Sequence, residues 1–292
     1  QAYVIAGITS QRRVINVDTR TNYYVSIATG GGGLDSGIQR ASPSIRPILY
    51  MENESEAQAV LVKNIQEGRV HDALIWSDIK SYDYESLRDT ISLGLAGGYP
   101  CQPFSNAGKQ DPNDPRILWP TIAAAIRTVK FDWLFFENTA SHLRIGGHQV
   151  IQELQEMGYV VAVDIIAAKE TGSPHQRERL FILAARGDLE YAYKQGLEGC
   201  SKSLTERANE FTSWPPSPTM DDEWEEVFKS RRDLAPAIEP EVLGVAHGYR
   251  LDLSRESRLR VIGNSVVPDV AQLAWIRLWE ELHGILQTTT NN

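Results

Sequence analysis

The chain has 292 residues and a formal net charge of −9, with 29 Lys and Arg against 38 Asp and Glu. That balance excludes a protein that coats nucleic acid by charge alone, because non-specific affinity comes from cations on phosphates. Two cysteines make no disulfide framework, and no apolar run reaches the roughly 18 to 20 residues of a membrane-spanning helix.

The apolar content suffices for the core of one large domain and a smaller one. The start of the sequence has no basic-then-apolar leader pattern, so the expectation is a soluble, cytoplasmic protein. Residues 1–22 are polar, carry no motif, and read as an extra edge strand or a frayed arm. From Tyr23 a β-prone run to Ala28 leads into Thr29-Gly30-Gly31-Gly32-Gly33 and a helix opening at Leu34-Asp35. Strand, glycine turn and helix in succession bring backbone close to a ligand and point unpaired N–H groups at it; taken singly, the turn equally fits any tight βα connection. A second strand, Ile48 to Met51, ends at Glu52, where a nucleotide-binding βαβ unit sets a carboxylate on the ribose hydroxyls. A third strand, Ala73 to Trp76, ends in Ser77-Asp78-Ile79, with Asp78 equally readable as a cap.

The fourth strand, Leu93 to Ala96, delivers Gly97-Gly98-Tyr99-Pro100-Cys101-Gln102-Pro103-Phe104-Ser105 at its carboxyl end, where active sites of open α/β sheets lie. Alone, Cys101 reads as a small buried hydrophobe. Between prolines and glycines, it reads as a thiol held out to a substrate, the thiolate being the nucleophile. The segment onward through Lys109 to Pro115 is rich in Gly, Pro and Asn and is expected to move as a lid. A helix over about 118–129 precedes the strand Trp133 to Phe136, which ends in Glu137-Asn138-Thr139. A carboxylate after four large apolar residues requires a partner or a chemical task. A helix over 149–157 and a strand over 159–166 lead to Arg177-Glu178-Arg179 and the strand Leu180 to Leu183. The two arginines are expected to divide between cleft and loop, with a salt bridge to Glu178 as the structural alternative. From Arg186 to Arg258 the alternation stops and prolines and charges take over, as in a separate small domain. Regularity returns with Gly263-Asn264-Ser265-Val266 and an apolar-faced helix over 270–286. No Cys/His spacing suits zinc.

In this order the motifs resemble those of the DNA cytosine-5 methyltransferases over most of the chain. The resemblance implies a Rossmann-like S-adenosylmethionine-dependent methyltransferase sheet with helices on both faces, in residues 1–185 and 259–292, and an irregular target-recognition domain at 186–258. It implies that Thr29, Gly30, Gly32 and Gly33 form the cofactor loop, with Glu52 on the ribose and Asp78 and Ile79 on the adenine side. Pro100, Leu118, Asn264 and Ser265 complete that pocket. Cys101 is the implied nucleophile and Glu137 the proton donor to the base; Arg179 holds its O2, and Arg177 orders the loop. Gln102, Ser105 and Lys109 are the implied DNA contacts. The implied cofactor is S-adenosyl-L-methionine, with no metal. The implied partner is duplex DNA, met as a monomer in a prokaryotic cell or a phage-infected host, with a restriction endonuclease as a functional and not a physical companion. Three positions depart from the family pattern: Ala28 where an aromatic is usual, Thr139 for Val, and His175 for Gln, so Trp119 is expected to supply part of the cofactor grip. Alternatives from the same residues are an RNA cytosine-5 methyltransferase and a non-catalytic DNA-binding relative. A nicotinamide-dependent dehydrogenase would leave the Pro-Cys-Gln loop without a use.

Overall fold

Strand runs such as Trp133-Leu134-Phe135-Phe136 are apolar on both alternating faces, and such runs belong in the middle of a sheet covered on both sides. In the computed structural model this is where they lie. The structure describes residues 22–88, 90, 93–100, 117–173, 176–186 and 264–290, with backbone alone for 286–290 and for two N-terminal strands, β1 (Ala2–Ala6) and β2 (Arg13–Val17). Those two pair antiparallel in a sheet of their own, Ala2 opposite Val17, and not as an edge of the main sheet.

The main sheet has seven strands: β3 (Tyr23–Ile27), β4 (Arg46–Met51), β5 (Leu74–Trp76), β6 (Leu93–Gly97), β7 (Trp133–Thr139), β8 (Val160–Ala167) and β9 (Glu178–Ala185), in the order β5-β4-β3-β6-β7-β9-β8. All neighbours from β5 to β7 are parallel, while β9 runs antiparallel to both β7 and β8. The chain leaves β3 toward β4 on one side and resumes at β6 on the other. That reversal opens a crevice at the strands' carboxyl ends, the usual ligand position in such sheets.

Alternation divides the core in two. Val25, Leu95, Leu134 and Phe136 face α3 (Trp119–Val129) and α4 (Gly147–Glu156) through Ile122, Ile126, Val150 and Leu154. Tyr24, Trp133 and Phe135 face α1 (Gly33–Ala41) and α5 (Pro268–Thr290) through Ile38, Trp275 and Trp279. The remaining helix, α2 (Ser55–Gln66), joins β4 to β5 and buries Val60 and Leu61. β7 runs on through Thr139, so Glu137 and Asn138 are strand residues, not the loop after it. Helix α5 starts with Pro at its first position, where a missing N–H costs nothing. Its buried Asp269 meets Arg40 at 2.7 Å, and Trp275 Nε1 donates to Ser42 Oγ at 3.0 Å. The expected lid and nucleophile (101–116) and nearly all of the expected target-recognition segment (187–263) lie outside the described residues.

Candidate active site

The crevice is a cleft of about 530 Å³ bordered by the carboxyl ends of β3, β4, β6 and β7. Its floor is the glycine turn. Gly30 and Gly32 have φ of 59° and 84°, left-handed values that suit glycine, and Gly32 N–H donates to Thr29 O at 3.1 Å to close the turn. Two side chains clamp this turn. Glu52 Oε2 accepts from Gly30 N–H at 2.7 Å while its Oε1 accepts from Glu54 N–H at 2.9 Å. From α2, the buried Asn64 donates through Nδ2 to Gly31 O at 2.7 Å. Thr29 Oγ1 donates toward Ser26 and the Met51 carbonyl, tying β3 to β4. At Gly33 a Cβ would stand 2.2 Å from Val266 O, so only a glycine lets the segment 264–266 close over the helix start.

Thr29, Gly30, Gly33, Glu52, Asp78 and Ile79 all line the cleft, together with Pro100, Leu118, Asn264 and Ser265. Gly32 does not; its α-carbon turns toward Leu61 and Val70. Asp78 Oδ1 accepts from Lys80 N–H at 3.0 Å, a local turn that fixes the loop after β5. Ala28 also lines the cleft, with φ of 45°, so the position of the usual aromatic presents only a methyl group. Trp119 does not compensate. It is buried against Tyr99 and Phe136 and donates through Nε1 to Glu153 at 3.1 Å, because at the start of α3 its indole faces the core and Leu118 takes the cleft.

The other end of the cleft holds Glu137. It is 8% exposed, and Arg179 Nε approaches its Oε1 at 3.0 Å. Burial pushes the carboxyl up to about 7 although Arg179 and Arg177 pull it down. A Cβ on Gly98 would come within 3.1 Å of Glu137 Oε2, so the glycine before the Pro-Cys loop makes room for the acid. Residues two apart on a regular strand share a face, but Arg177 precedes β9 and its φ of 33° takes it out of the extended region. Arg179 faces Glu137, while Arg177 Nη2 donates to Ser265 O at 2.6 Å and so joins this end of the cleft to the closing segment. Neither arginine makes a described salt bridge with Glu178.

Two side chains hold Tyr99, just before the segment that begins at Cys101. Asn138 Nδ2 donates to Tyr99 O at 3.0 Å, and the Tyr99 hydroxyl lies 3.0 Å from His142 Nε2. Burial lowers the His142 imidazole to about 4, so it is neutral at ordinary pH. Pro100 is the last described residue before the loop; Cys101, Gln102, Ser105 and Lys109 lie beyond it, outside the described residues. Asn64, Tyr99 and His142 escaped the sequence reading, because each acts through a partner that only the fold brings near. Among the described residues no group of three or more His, Cys, Asp or Glu is arranged to hold a metal ion.

A sequence model described as C-5 cytosine-specific DNA methylase matches residues 23–233. Among curated proteins, the Type II methyltransferase M.PspPI of Psychrobacter sp. (strain TA137) is 33% identical over 178 residues, which cover 59% of this chain and 41% of that protein. The Type II methyltransferase M.NaeI of Lentzea aerocolonigenes is 34% identical over 168 residues, 55% of this chain and 39% of that one. The chain thus spans about two fifths of the length of these relatives. Among solved structures, the S. pombe Dnmt2 methyltransferase superposes with a TM-score of 0.58 at 15% identity, covering 89% of this chain and 99% of that one. The Entamoeba histolytica methyltransferase EhMeth gives 0.57 at 17%, covering 91% and 99%. At these identities the two structures bear on the fold, which they share with the seven-stranded sheet and its flanking helices. The family model spans most of the chain and takes in both the glycine turn and the Pro-Cys loop, and on that ground the protein belongs to the C-5 cytosine-specific DNA methylase family.

Proposed function

We propose that the protein transfers the methyl group of S-adenosylmethionine to C5 of a cytosine flipped out of duplex DNA, through a covalent bond between Cys101 and C6. The observation that carries this reading is the pairing of buried Glu137 with Arg179 at the point where Gly98 and Pro100 lead into the Cys101 loop.

Cytosine C5 is too weak a nucleophile to take a methyl group unaided. A Cys101 thiolate that adds to C6 makes C5 enamine-like, provided a proton is supplied at N3. Glu137 is suited to that task, since a carboxyl poised near 7 keeps a large protonated fraction at neutral pH. Arg179, already fixed on Glu137, has the charge and reach to hold the base's O2. Once C5 carries the methyl group, a general base takes the C5 proton, the C5–C6 double bond re-forms as the thiolate leaves, and the N3 proton returns to Glu137. A stacked base hides the face that must be attacked, so the target nucleotide leaves the duplex, and Gln102, Ser105 and Lys109 on the adjoining loop are the proposed contacts to DNA.

The residues at the other end of the cleft fit the cofactor. Gly30 leaves open space where a side chain would stand, Glu52 reaches the cleft with lone pairs left for ribose hydroxyls, and Ile79 offers an apolar surface to an adenine. Bound there, S-adenosylmethionine would supply an electrophilic methyl on its sulfonium. Residues 186–258 are the proposed target-recognition domain, with 1–185 and 259–292 as the catalytic one. The relatives' names, Type II methyltransferases, support a role in DNA modification; action as a cytoplasmic monomer beside a restriction enzyme is part of the same proposal.

The test is mass spectrometry of nucleosides from mixed-sequence duplex DNA incubated with the protein and S-adenosylmethionine. The expected product is 5-methylcytosine, absent with Cys101→Ala, which should still bind the cofactor. Methylation of tRNA in place of DNA would overturn the substrate, and turnover by Cys101→Ala would overturn the mechanism.

A further inference from the structure

Asp35, in the first turn of α1, lies where the cleft wall meets the interior. It lines the cleft, yet its residue is fully buried, and Oδ1 accepts a hydrogen bond from the Tyr24 hydroxyl at 3.0 Å. The Ser26 hydroxyl and the Asp35 amide also favour its charged form, but no group meets Oδ2 within hydrogen-bond geometry. Of the other acids of the cleft, Glu52 is engaged on two backbone N–H groups, Asp78 on Lys80 N–H and Glu137 on Arg179, while Glu54 is half-buried beside Glu52, where water can solvate its carboxylate. The groups that face Asp35 from the elements around it are Ser26 and Tyr24 on β3, Tyr50 on β4 and Gln39 on α1, whose Nε2 donates to the Tyr24 oxygen at 3.0 Å. On the side of α5, Asp269 and Arg40 satisfy each other. No cation is among these groups. A buried carboxylate with one oxygen unused and no counter-charge is costly to keep, and burial holds Asp35 up to about 6.

We propose that Asp35 is an electrostatic recognition residue of the cofactor cleft, its carboxylate standing behind the glycine turn and favouring a ligand whose amino-acid end carries a protonated amine. The proposal rests on the S-adenosylmethionine reading above. Glu52, Glu54 and Asp78, at or just after the tips of β4 and β5, mark the nucleoside end, and Glu137 is paired with Arg179; Asp35, at the start of α1, is the fully buried acid behind the glycine turn that has no cation of its own. In a water-poor interior a charge acts over several ångströms without direct contact, so the missing counter-ion arrives with the ligand.

The test is calorimetric binding by the full chain of two ligands: S-adenosylhomocysteine, which keeps the amino-acid end, and 5′-methylthioadenosine, which lacks it. Between pH 7.5 and 5 the Asp35 carboxylate takes up its proton, so affinity for S-adenosylhomocysteine is expected to fall about tenfold while that for 5′-methylthioadenosine stays flat. Any effect of Glu137 is read by both ligands and cancels in their ratio. With Asp35→Asn, S-adenosylhomocysteine should bind about tenfold more weakly at pH 7.5 and lose its pH dependence. The ligand-free variant should melt at a higher temperature than the wild type at that pH, which separates lost recognition from lost folding. Tyr24→Phe keeps the charge but removes a hydrogen bond that favours it, so the midpoint of the pH dependence should move up. In turnover, Asp35→Asn should raise KM for S-adenosylmethionine with kcat little changed. Equal pH responses of the two ligands, or a wild-type profile in Asp35→Asn, would overturn the role of Asp35 and leave the cofactor reading standing. Wild-type protein that binds neither ligand would overturn both.

Discussion

Glu137 shows why a buried acid can be retained at a cost. Arg179 lies 3.0 Å away, yet burial outweighs it and the carboxyl rises from 4.5 to about 7. A folded-state value above the unfolded one adds stability that is fully present below about 4.5 and is lost as the pH rises through 7. The gap corresponds to roughly 3 kcal/mol at alkaline pH. Glu137→Gln should therefore be more resistant to urea than the wild type at pH 8, by up to about that amount, and the advantage should vanish near pH 4. The same substitution should slow methyl transfer by about 10²- to 10⁴-fold, the usual worth of a positioned acid, with affinity for S-adenosylhomocysteine unchanged. A variant that is slow but no more stable at pH 8 would mean that the acid is not desolvated in solution. A stable variant of normal rate would mean that N3 is protonated by another group.

At the scale of elements, the strand that leads into Cys101, the proposed nucleophile, is held before the Pro-Cys segment begins. Asn138 on β7 fixes the Tyr99 carbonyl, and His142, in the turn after β7, fixes the Tyr99 hydroxyl, so the backbone entering Pro100 is pinned at two points. Asn138→Ala should release one of them, removing a hydrogen bond whose net worth is about 0.5–1.5 kcal/mol. The expected result is a lower kcat with cofactor affinity retained, measured by single-turnover kinetics beside calorimetry. The strands β3, β4, β6 and β7 and the helix α5 were legible in the sequence because long apolar runs and helical spacing are local signals. So was Glu52, because a carboxylate at the tip of the second strand of a βαβ unit has few other uses. Asn64, His142 and Asp35 were not, for their partners stand 33, 43 and 11 residues away along the chain. Trp119 was misread for a related reason. An aromatic opening an amphipathic helix fits a pocket or a core equally well, and only the neighbouring rings of Tyr99 and Phe136 decide for the core. The pairing of β1 with β2 was equally hidden, since a short Val-Ile pair gives no register.

Across the whole molecule, the cleft is assembled from distant parts of the chain. Segment 264–266 closes one wall, and α5 anchors that segment by laying Trp275 edge-on against Trp133 and Phe135 and by linking Arg277 to Glu170 in the turn after β8. Cofactor binding and the packing of α5 should therefore be coupled. Trp275→Ala removes a fully buried indole and should cost about 3–5 kcal/mol, a large share of the 5–15 kcal/mol typical of a domain. A sharper probe is Gly33→Ala. The added methyl would stand 2.2 Å from Val266 O, and the backbone on both sides leaves no flexible side chain to yield, so the closing segment must move off the helix start. The sheet itself does not depend on that contact, and circular dichroism should stay as in the wild type. S-adenosylhomocysteine at about a hundred times its wild-type Kd should stabilise the wild type by about 2.7 kcal/mol and the variant by much less. If Gly33→Ala gains as much as the wild type, segment 264–266 forms no part of the cofactor pocket, and the return of the chain through α5 serves the core alone.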